Sequence, residues 1–211
     1  MNFYTGLEKD VSEEIRDWSL HALEKPNSAY NNFPACPFAA TAWKNNKVGT
    51  VFKYDASFQP LYSIISAYDD QFELVILVDL DYELDEEKFH VHLENLNEAI
   101  SDGIFIDKDM YLMGFHPETE PNELLDNATF ETKVDTLYAM IFIQRLSLLC
   151  KSSEKLMSKG YYNRESGNYD IDGILTKRNE FYRRMKKDGT NNIAKKGFGY
   201  GKESLTRKVS G

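Results

Sequence analysis

The order of hydrophobic and polar residues predicts helices that alternate with strands. Apolar residues recur at helical spacing in segments 10–25, 55–68 and 85–103. Three shorter runs have the β-branched and aromatic composition of strands: KVGTVFKY, FELVILVDL and MYLMGF. Because helices join these strands, we expect right-handed crossovers between parallel neighbours. The pattern therefore predicts an α/β fold with a small, mostly parallel sheet and helices packed on it.

Further features define individual elements of this prediction. The run from Leu74 to Val78 is continuously apolar, which is typical of a central strand covered on both faces. Segment 133–159 is also strongly apolar, but it is long and Gly160 follows it, so we interpret it as one helix. Asp85 is placed to cap the helix after the second strand, and Gly103 lies just beyond that helix.

Composition and charge divide the chain into two parts. Residues 1–160 contain all the predicted strands, and a hydrophobic content of 42% in 211 residues is enough to form a core. Residues 161–211 comprise a predicted basic helix, 171–187, and a tail that is too polar and glycine-rich to fold alone. From Lys177 onward, eleven basic and three acidic residues give a net charge of +8, whereas the preceding part carries 14 basic and 31 acidic residues, or −17.

This basic segment predicts a binding surface. Its positive face comprises Lys177, Arg178, Arg183, Arg184, Lys186 and Lys187. Its apolar side needs a partner, for which we favour an acidic protein surface, either on the same chain or on a neighbouring subunit of an oligomer. Nucleic acid is the alternative partner, and in that case Phe198 and Tyr200 would stack on the bases.

The sequence favours a protein of the cytoplasm. No apolar run approaches the roughly 20 residues that a membrane helix needs, and the acidic N-terminus lacks the order of a secretion signal. Cys36 and Cys150 do not form a disulfide framework, so we expect free thiols. No residue spacing matches a structural zinc site, and the acidic run after Asp79 lacks the glycine of a calcium loop, so neither is expected. The sequence leaves the cofactor, and the binding of any other metal, unknown.

Cys36 and His116 are the first two candidates for chemistry. Pro34 and Pro37 bracket Cys36 on a connecting segment, whereas Cys150 on an apolar helix is expected to be a small buried hydrophobe. His116 follows a predicted strand, where its imidazole would act as a base or a ligand. The alternative for His116 is a loop histidine that is bonded to a backbone carbonyl. A thiolate and imidazole pair would require the two side chains to meet.

Arg145 is the third candidate. On the predicted helix it shares an apolar face with Tyr138 and Ile141. A guanidinium on such a face needs a partner, and its fork would suit the carboxylate or phosphate of an anionic small molecule. An internal salt bridge to an acid such as Asp135 is the alternative, as is a side chain that reaches solvent.

Three motifs together resemble a bacterial domain-of-unknown-function family, number fourteen-fifteen. The segment ACPFAATAWKNNKV is similar to its Cys-Pro-Phe-Ala motif, MGFHPE to its Phe-His-Pro motif, and YAMIFIQRL to its Tyr-Pro-Met helix with a following arginine. The resemblance covers roughly residues 14–158. It implies that Cys36, His116 and Arg145 converge on one site, but the family has no established reaction that would define the chemistry there.

Two functional hypotheses follow. The first is a small cytoplasmic enzyme or small-molecule binder, in which Arg145 orients an anionic group, Cys36 is a nucleophile or soft ligand, and His116 is a base or ligand. The second is a non-enzymatic binding protein that acts through the basic C-terminal segment. The separation of the three candidate side chains is the observation that distinguishes these hypotheses.

Overall fold

The computed structural model describes residues 3–105, 108–119, 133–161 and 171–196. The helices of these segments are α1 (Phe3–Trp18), α2 (Ala39–Lys44), α3 (Gln59–Ala67), α4 (Glu86–Ser101), α5 (Leu146–Ser158) and α6 (Ile171–Lys196). The strands are β1 (Pro26–Asn27), β2 (Phe33–Pro34), β3 (Val48–Lys53), β4 (Leu74–Asp79), β5 (Met110–Phe115) and β6 (Ala139–Arg145). A π-helical turn, Ser19–Leu23, continues α1, and a 3₁₀ turn, Ser28–Tyr30, links β1 to β2.

The central sheet has four strands in the order β3-β4-β6-β5. β3 and β4 are parallel, and β6 is antiparallel to both of its neighbours, so β3, β4 and β5 share one direction. The short strands β1 and β2 form a separate antiparallel pair. The predicted α/β class is confirmed, and the sheet is mixed because β6, the last of its strands in the chain, lies antiparallel between β4 and β5.

The prediction of one helix over 133–159 is wrong in its first half. Residues Ala139–Arg145 form β6 in the middle of the sheet, and the helix α5 begins only at Leu146. Apolar side chains of β6 alternate between the two faces of the sheet, with Ile141 in one core cluster and Met140 in the other. A run that is apolar on every side fits a doubly covered strand as well as a buried helix, so its periodicity does not distinguish them.

Helices cover both faces of the sheet. On one face α3 and α4 pack through Leu61, Ile65, Phe89, Leu93, Leu96 and Ile100. On the other face α1 and the turn that follows it pack through Val11, Ile15, Trp18 and Ala22. The two crossovers β3-α3-β4 and β4-α4-β5 place both of their helices on the same face because they advance across the sheet in the same direction.

The predicted ends of the helices are partly confirmed. Asp85 caps α4 by accepting a hydrogen bond of 2.9 Å from the Lys88 N–H, and Gly103 beyond that helix adopts a φ of 86°. α1 begins at Phe3, well before the predicted start at residue 10. The helix α6 continues to Lys196, so the described part of the C-terminal segment is helical for longer than its polar composition predicted.

The basic helix α6 packs on the body of its own chain. Phe181 is 2% exposed and contacts Leu146 and Cys150 of α5, and Met185 reaches the core beneath α4. Arg184 pairs with two carboxylates of α4 and its C-terminal end, Asp102 at 3.1 Å and Glu98 at 3.4 Å. The acidic surface that this helix needs is therefore present within the chain, so residues 171–187 are not separate from the body.

Candidate functional site

Backbone hydrogen bonds fix the cysteine segment in place. The Cys36 N–H donates to the Leu23 carbonyl at 2.9 Å, and the Cys36 carbonyl accepts from the Ala39 N–H at 3.1 Å. The preceding carbonyl, of Ala35, accepts from the Tyr161 hydroxyl at 2.6 Å. This segment therefore connects the turn after α1 to Tyr161, just beyond α5. The cysteine between two prolines thus has a structural role.

The environment of Cys36 opposes formation of a thiolate. Burial raises the pKa of the thiol above its ordinary value, and the Glu24 carboxylate raises it further, while backbone hydrogen bonds from Phe38 and Ala39 act in the opposite direction. Glu24 itself is held by Arg16 and by the Ser19 hydroxyl, at 2.9 Å for the latter. A catalytic thiol needs a lowered pKa, so the electrostatics of Cys36 do not favour nucleophilic chemistry.

His116 is a buried structural histidine. Its side chain is 0% exposed. Nε2 lies 3.0 Å from the Leu84 carbonyl, and Nδ1 accepts from the Glu118 N–H at 3.3 Å. The ring packs against Tyr82 and Phe89, with centroid distances of 5.0 and 5.4 Å. Because backbone groups occupy both ring nitrogens, the alternative of a loop histidine bonded to a carbonyl agrees with the structure.

Arg145 is the last residue of β6, not a helix residue, which corrects its predicted position. Its Nη2 lies 2.6 Å from Asp70 Oδ1, and its guanidinium lies 5.6 Å from the centre of the Tyr68 ring. Asp70 is 95% exposed. The alternative given for Arg145, a salt bridge within the chain, is thus present, with Asp70 as the partner where Asp135 had been the example.

The structure does not bring the three candidate residues together. Arg145 is paired with Met110 at the start of β5, whereas His116 follows the last residue of that strand. At about 3.3 Å per residue, the two lie about 20 Å apart. The hydrogen-bond partners of Cys36 within the described residues include neither of them. One substrate cannot contact groups at opposite ends of the sheet. The expectation from the resemblance, that the three residues lie in one site, is therefore corrected.

A buried ion pair that sequence analysis missed lies at the carboxyl ends of the parallel strands. Lys53 ends β3 and Asp79 ends β4, and their Nζ and Oδ1 atoms are 2.6 Å apart with side chains 3% and 5% exposed. The Lys53 ammonium also donates to the Asp81 carbonyl at 3.2 Å. A lysine and an aspartate that each end a predicted parallel strand are the signal that would have revealed this pair.

Together these contacts hold the loop between β4 and α4. The ammonium of Lys53 binds the start of the loop at Asp81, and His116 binds its end at Leu84. This edge of an open α/β sheet is where ligands usually bind. Here the polar groups at the strand ends bind one another and the loop backbone, so the arrangement stabilises the loop.

The described part of the basic helix has an inner and an outer set of charges. Lys177 pairs with Glu94, and the Arg178 guanidinium lies 5.1 Å from the centre of the Tyr111 ring, so both face the body together with Arg184. Arg183, Lys186 and Lys187 are exposed. Phe198 and Tyr200 lie outside the described residues.

Comparison with protein-family models, curated proteins and solved structures found no match to this chain. The resemblance to the domain-of-unknown-function family therefore stays a prediction. Within the described segments, no helix combines the length and apolar character needed to cross a membrane. The same segments contain no group of three or more histidine, cysteine or acidic side chains that would hold a metal ion.

Proposed function

We propose that this chain is a non-enzymatic binding protein whose basic helix α6 presents its outer face to an acidic protein surface. The observation that carries the proposal is the division of charge on α6. Lys177 and Arg184 face α4 and pair with its carboxylates, whereas the side chains of Arg183, Lys186 and Lys187 are solvent-exposed on the other side of the helix. Docking of the inner side holds the outer side in a defined orientation.

The positions of the former catalytic candidates support a binding role. Both nitrogens of His116 bind backbone groups, Arg145 pairs with Asp70 at the other end of the sheet, and burial raises the pKa of the Cys36 thiol. Catalysis needs groups within hydrogen-bond reach of one substrate. The geometry of the described residues offers no such set among these three.

An acidic protein surface fits the outer face better than nucleic acid. The exposed basic cluster is small, and it lies beside the acidic helix α4 on a body of strongly negative charge. A long polyanion would meet this repulsion along its length, whereas a local acidic patch would contact the basic cluster alone. Phosphate contacts also need several cations to act together.

The test compares two polyanions on two variants of the full chain. Binding of labelled polyglutamate and of a labelled single-stranded oligonucleotide is measured at physiological salt by fluorescence anisotropy. The first variant reverses Arg183, Lys186 and Lys187 to Glu. The control variant reverses three exposed lysines in α5 and at its C-cap: Lys151, Lys155 and Lys159.

We expect polyglutamate binding to weaken about tenfold or more in the α6 variant, which is a loss of about 1.4 kcal/mol in binding free energy. Binding should change little in the α5 control. Preference for the oligonucleotide would overturn it in favour of nucleic acid. Equal losses in both variants would show nonspecific attraction and would also contradict the proposal.

A further inference from the structure

One edge of the central sheet is closed by the fold. Asn97 of α4 donates from Nδ2 to the Leu112 carbonyl at 2.9 Å and accepts from the Leu112 N–H at 2.8 Å. The side chain thus satisfies outward backbone groups of the edge strand β5. α6 covers the same edge, with the Arg178 Nη2 atom 3.3 Å from the Met113 sulfur.

The other edge strand, β3, has no hydrogen-bonded neighbour on its outer side among the described residues. The carbonyls of Lys47 and Lys53 accept hydrogen bonds from the N–H groups of Leu74, at the start of β4, and of Leu80, just after its end. Because consecutive strand residues direct their backbone groups to opposite sides, Val48, Thr50 and Phe52 direct theirs away from β4. Within the described residues, no hydrogen bond satisfies these outward groups.

The features that normally protect an edge are missing from β3. Edge strands are commonly blocked by proline, a bulge or an outward lysine. β3 has neither proline nor bulge, and its one lysine, Lys53, is buried in the ion pair with Asp79. Val51 and the adjoining Tyr54 are 37% and 41% exposed. The strand therefore has the properties of a surface that adds another strand.

We propose that β3 pairs with β3 of a second copy of this chain, antiparallel and about a two-fold axis at Thr50. In this register Val48 lies opposite Phe52 of the second copy, and Thr50 lies opposite its own equivalent. All of the outward backbone groups then pair with one another. The side-chain pairs are also favourable ones, since β-branched residues pack well against aromatics and threonine pairs with threonine across strands.

Charge complementarity supports a second copy as the occupant. Lys44 is exposed before the amino end of β3, whereas Asp55 is exposed just beyond its carboxyl end. The adjoining Tyr54 brings a second carboxylate to that end, since its hydroxyl donates to Glu8 at 2.5 Å. An antiparallel two-fold arrangement places the basic end of each copy beside the acidic end of the other. The same patch on both copies is thus self-complementary, as a two-fold interface requires. This surface is separate from the outer face of α6, so the inference goes beyond the proposed function.

The first test is the mass of the full chain measured by sedimentation over a range of concentrations. Thr50→Pro removes the outward N–H without removing a hydrogen bond between β3 and β4, and Thr50→Val is the matched control that keeps the N–H. We expect the wild type and the control to dimerise and Thr50→Pro to weaken the dimer about tenfold or more. A wild type that stays monomeric would overturn the proposal, as would a Thr50→Pro variant that keeps its fold and dimerises as tightly as the wild type.

A second test fixes the register even if the proline variant fails to fold. Cysteines directly opposite each other have Cα atoms about 5.5 Å apart, within reach of a disulfide. Thr50→Cys should therefore form a disulfide-linked dimer on mild oxidation. Val48→Cys is the control, because in the proposed register two Val48 residues are about 13 Å apart. Equal cross-linking of both variants, or none by Thr50→Cys, would contradict the proposed pairing.

A charge exchange tests the ends of the interface. Lys44→Glu should weaken the dimer severalfold, and adding Asp55→Lys should restore it, because the exchange rebuilds the same pairs in reverse. A double variant that is weaker than the single variant would argue against this arrangement. Reversal of the α6 charges should leave the dimer intact, so failure of this inference and failure of the proposed function are distinguishable.

Discussion

Asn97 and Leu112 form a closed pair of hydrogen bonds between a helix side chain and the backbone of an edge strand. Asn97 is 5% exposed, so water does not reach the pair freely. Its amide takes the place that a neighbouring strand would otherwise occupy. The contact explains why a polar residue lies on the apolar side of α4, and it makes this position a sensitive test of the fold.

Replacement of Asn97 should destabilise the protein strongly. Asn97→Leu leaves a buried N–H and a buried carbonyl of Leu112 without partners, which costs about 2–3 kcal/mol. The exposed neighbour Asn95 provides the control, since Asn95→Leu should change stability by less than about 0.5 kcal/mol. Urea unfolding monitored by circular dichroism measures both. Equal stability of the two variants would show that the edge of β5 does not depend on this amide.

Removal of one partner of the ion pair between Lys53 and Asp79 should cost more stability than replacement of both partners by apolar residues. Lys53→Met leaves a buried carboxylate without its cation and should cost about 3–5 kcal/mol. The double variant Lys53→Met with Asp79→Leu should recover much of that loss. Urea unfolding of the two single variants and the double variant gives the coupling free energy between the two side chains. If the double variant loses the sum of the two single losses, the pair does not act as a unit.

The two thiols should react slowly in the native protein. Burial is the main cause that raises the pKa of both Cys36 and Cys150. Both therefore stay protonated at neutral pH, and alkylation by iodoacetamide should accelerate as the pH rises above the ordinary thiol pKa. Cys36 is half-buried and Cys150 buried, so Cys36 should be labelled first. Mass mapping of timed samples decides the order, and faster labelling of Cys150 would contradict it.

Tyr68 should make stability depend on pH in the alkaline range. Burial raises the pKa of its phenol to about 12, although Arg145 acts in the opposite direction. The folded state therefore holds this proton between the ordinary value of 10.0 and about 12, whereas the unfolded state releases it. Stability is full below the ordinary pKa and falls as the pH rises through this window. Tyr68→Phe should lose less stability than the wild type over this pH range, as measured from urea midpoints. A pH dependence of stability equal to that of the wild type would refute the assignment.

Local sequence information predicted the elements that depend on local interactions. The cap at Asp85 and the glycine at Gly103 are set by interactions within a few residues, so the ends of α4 could be predicted from the chain itself. The apolar run in β4 likewise indicated a strand covered on both faces. The charge separation predicted that the basic segment needs an acidic surface.

Only the tertiary structure decided how distant segments meet. Segment 139–145 became a strand because β4 and β5 leave a place between them, a relation that no local pattern contains. In that position, Arg145 lies at one end of the sheet and His116 at the other, so the two residues that the resemblance expected in one site are far apart. It also decided which edge is closed, because Asn97 and α6 both reach β5, whereas no hydrogen bond within the described segments satisfies the outward backbone groups of β3. Periodicity reports which faces of an element are buried, but the partners that bury them are fixed by contacts between residues far apart in the chain.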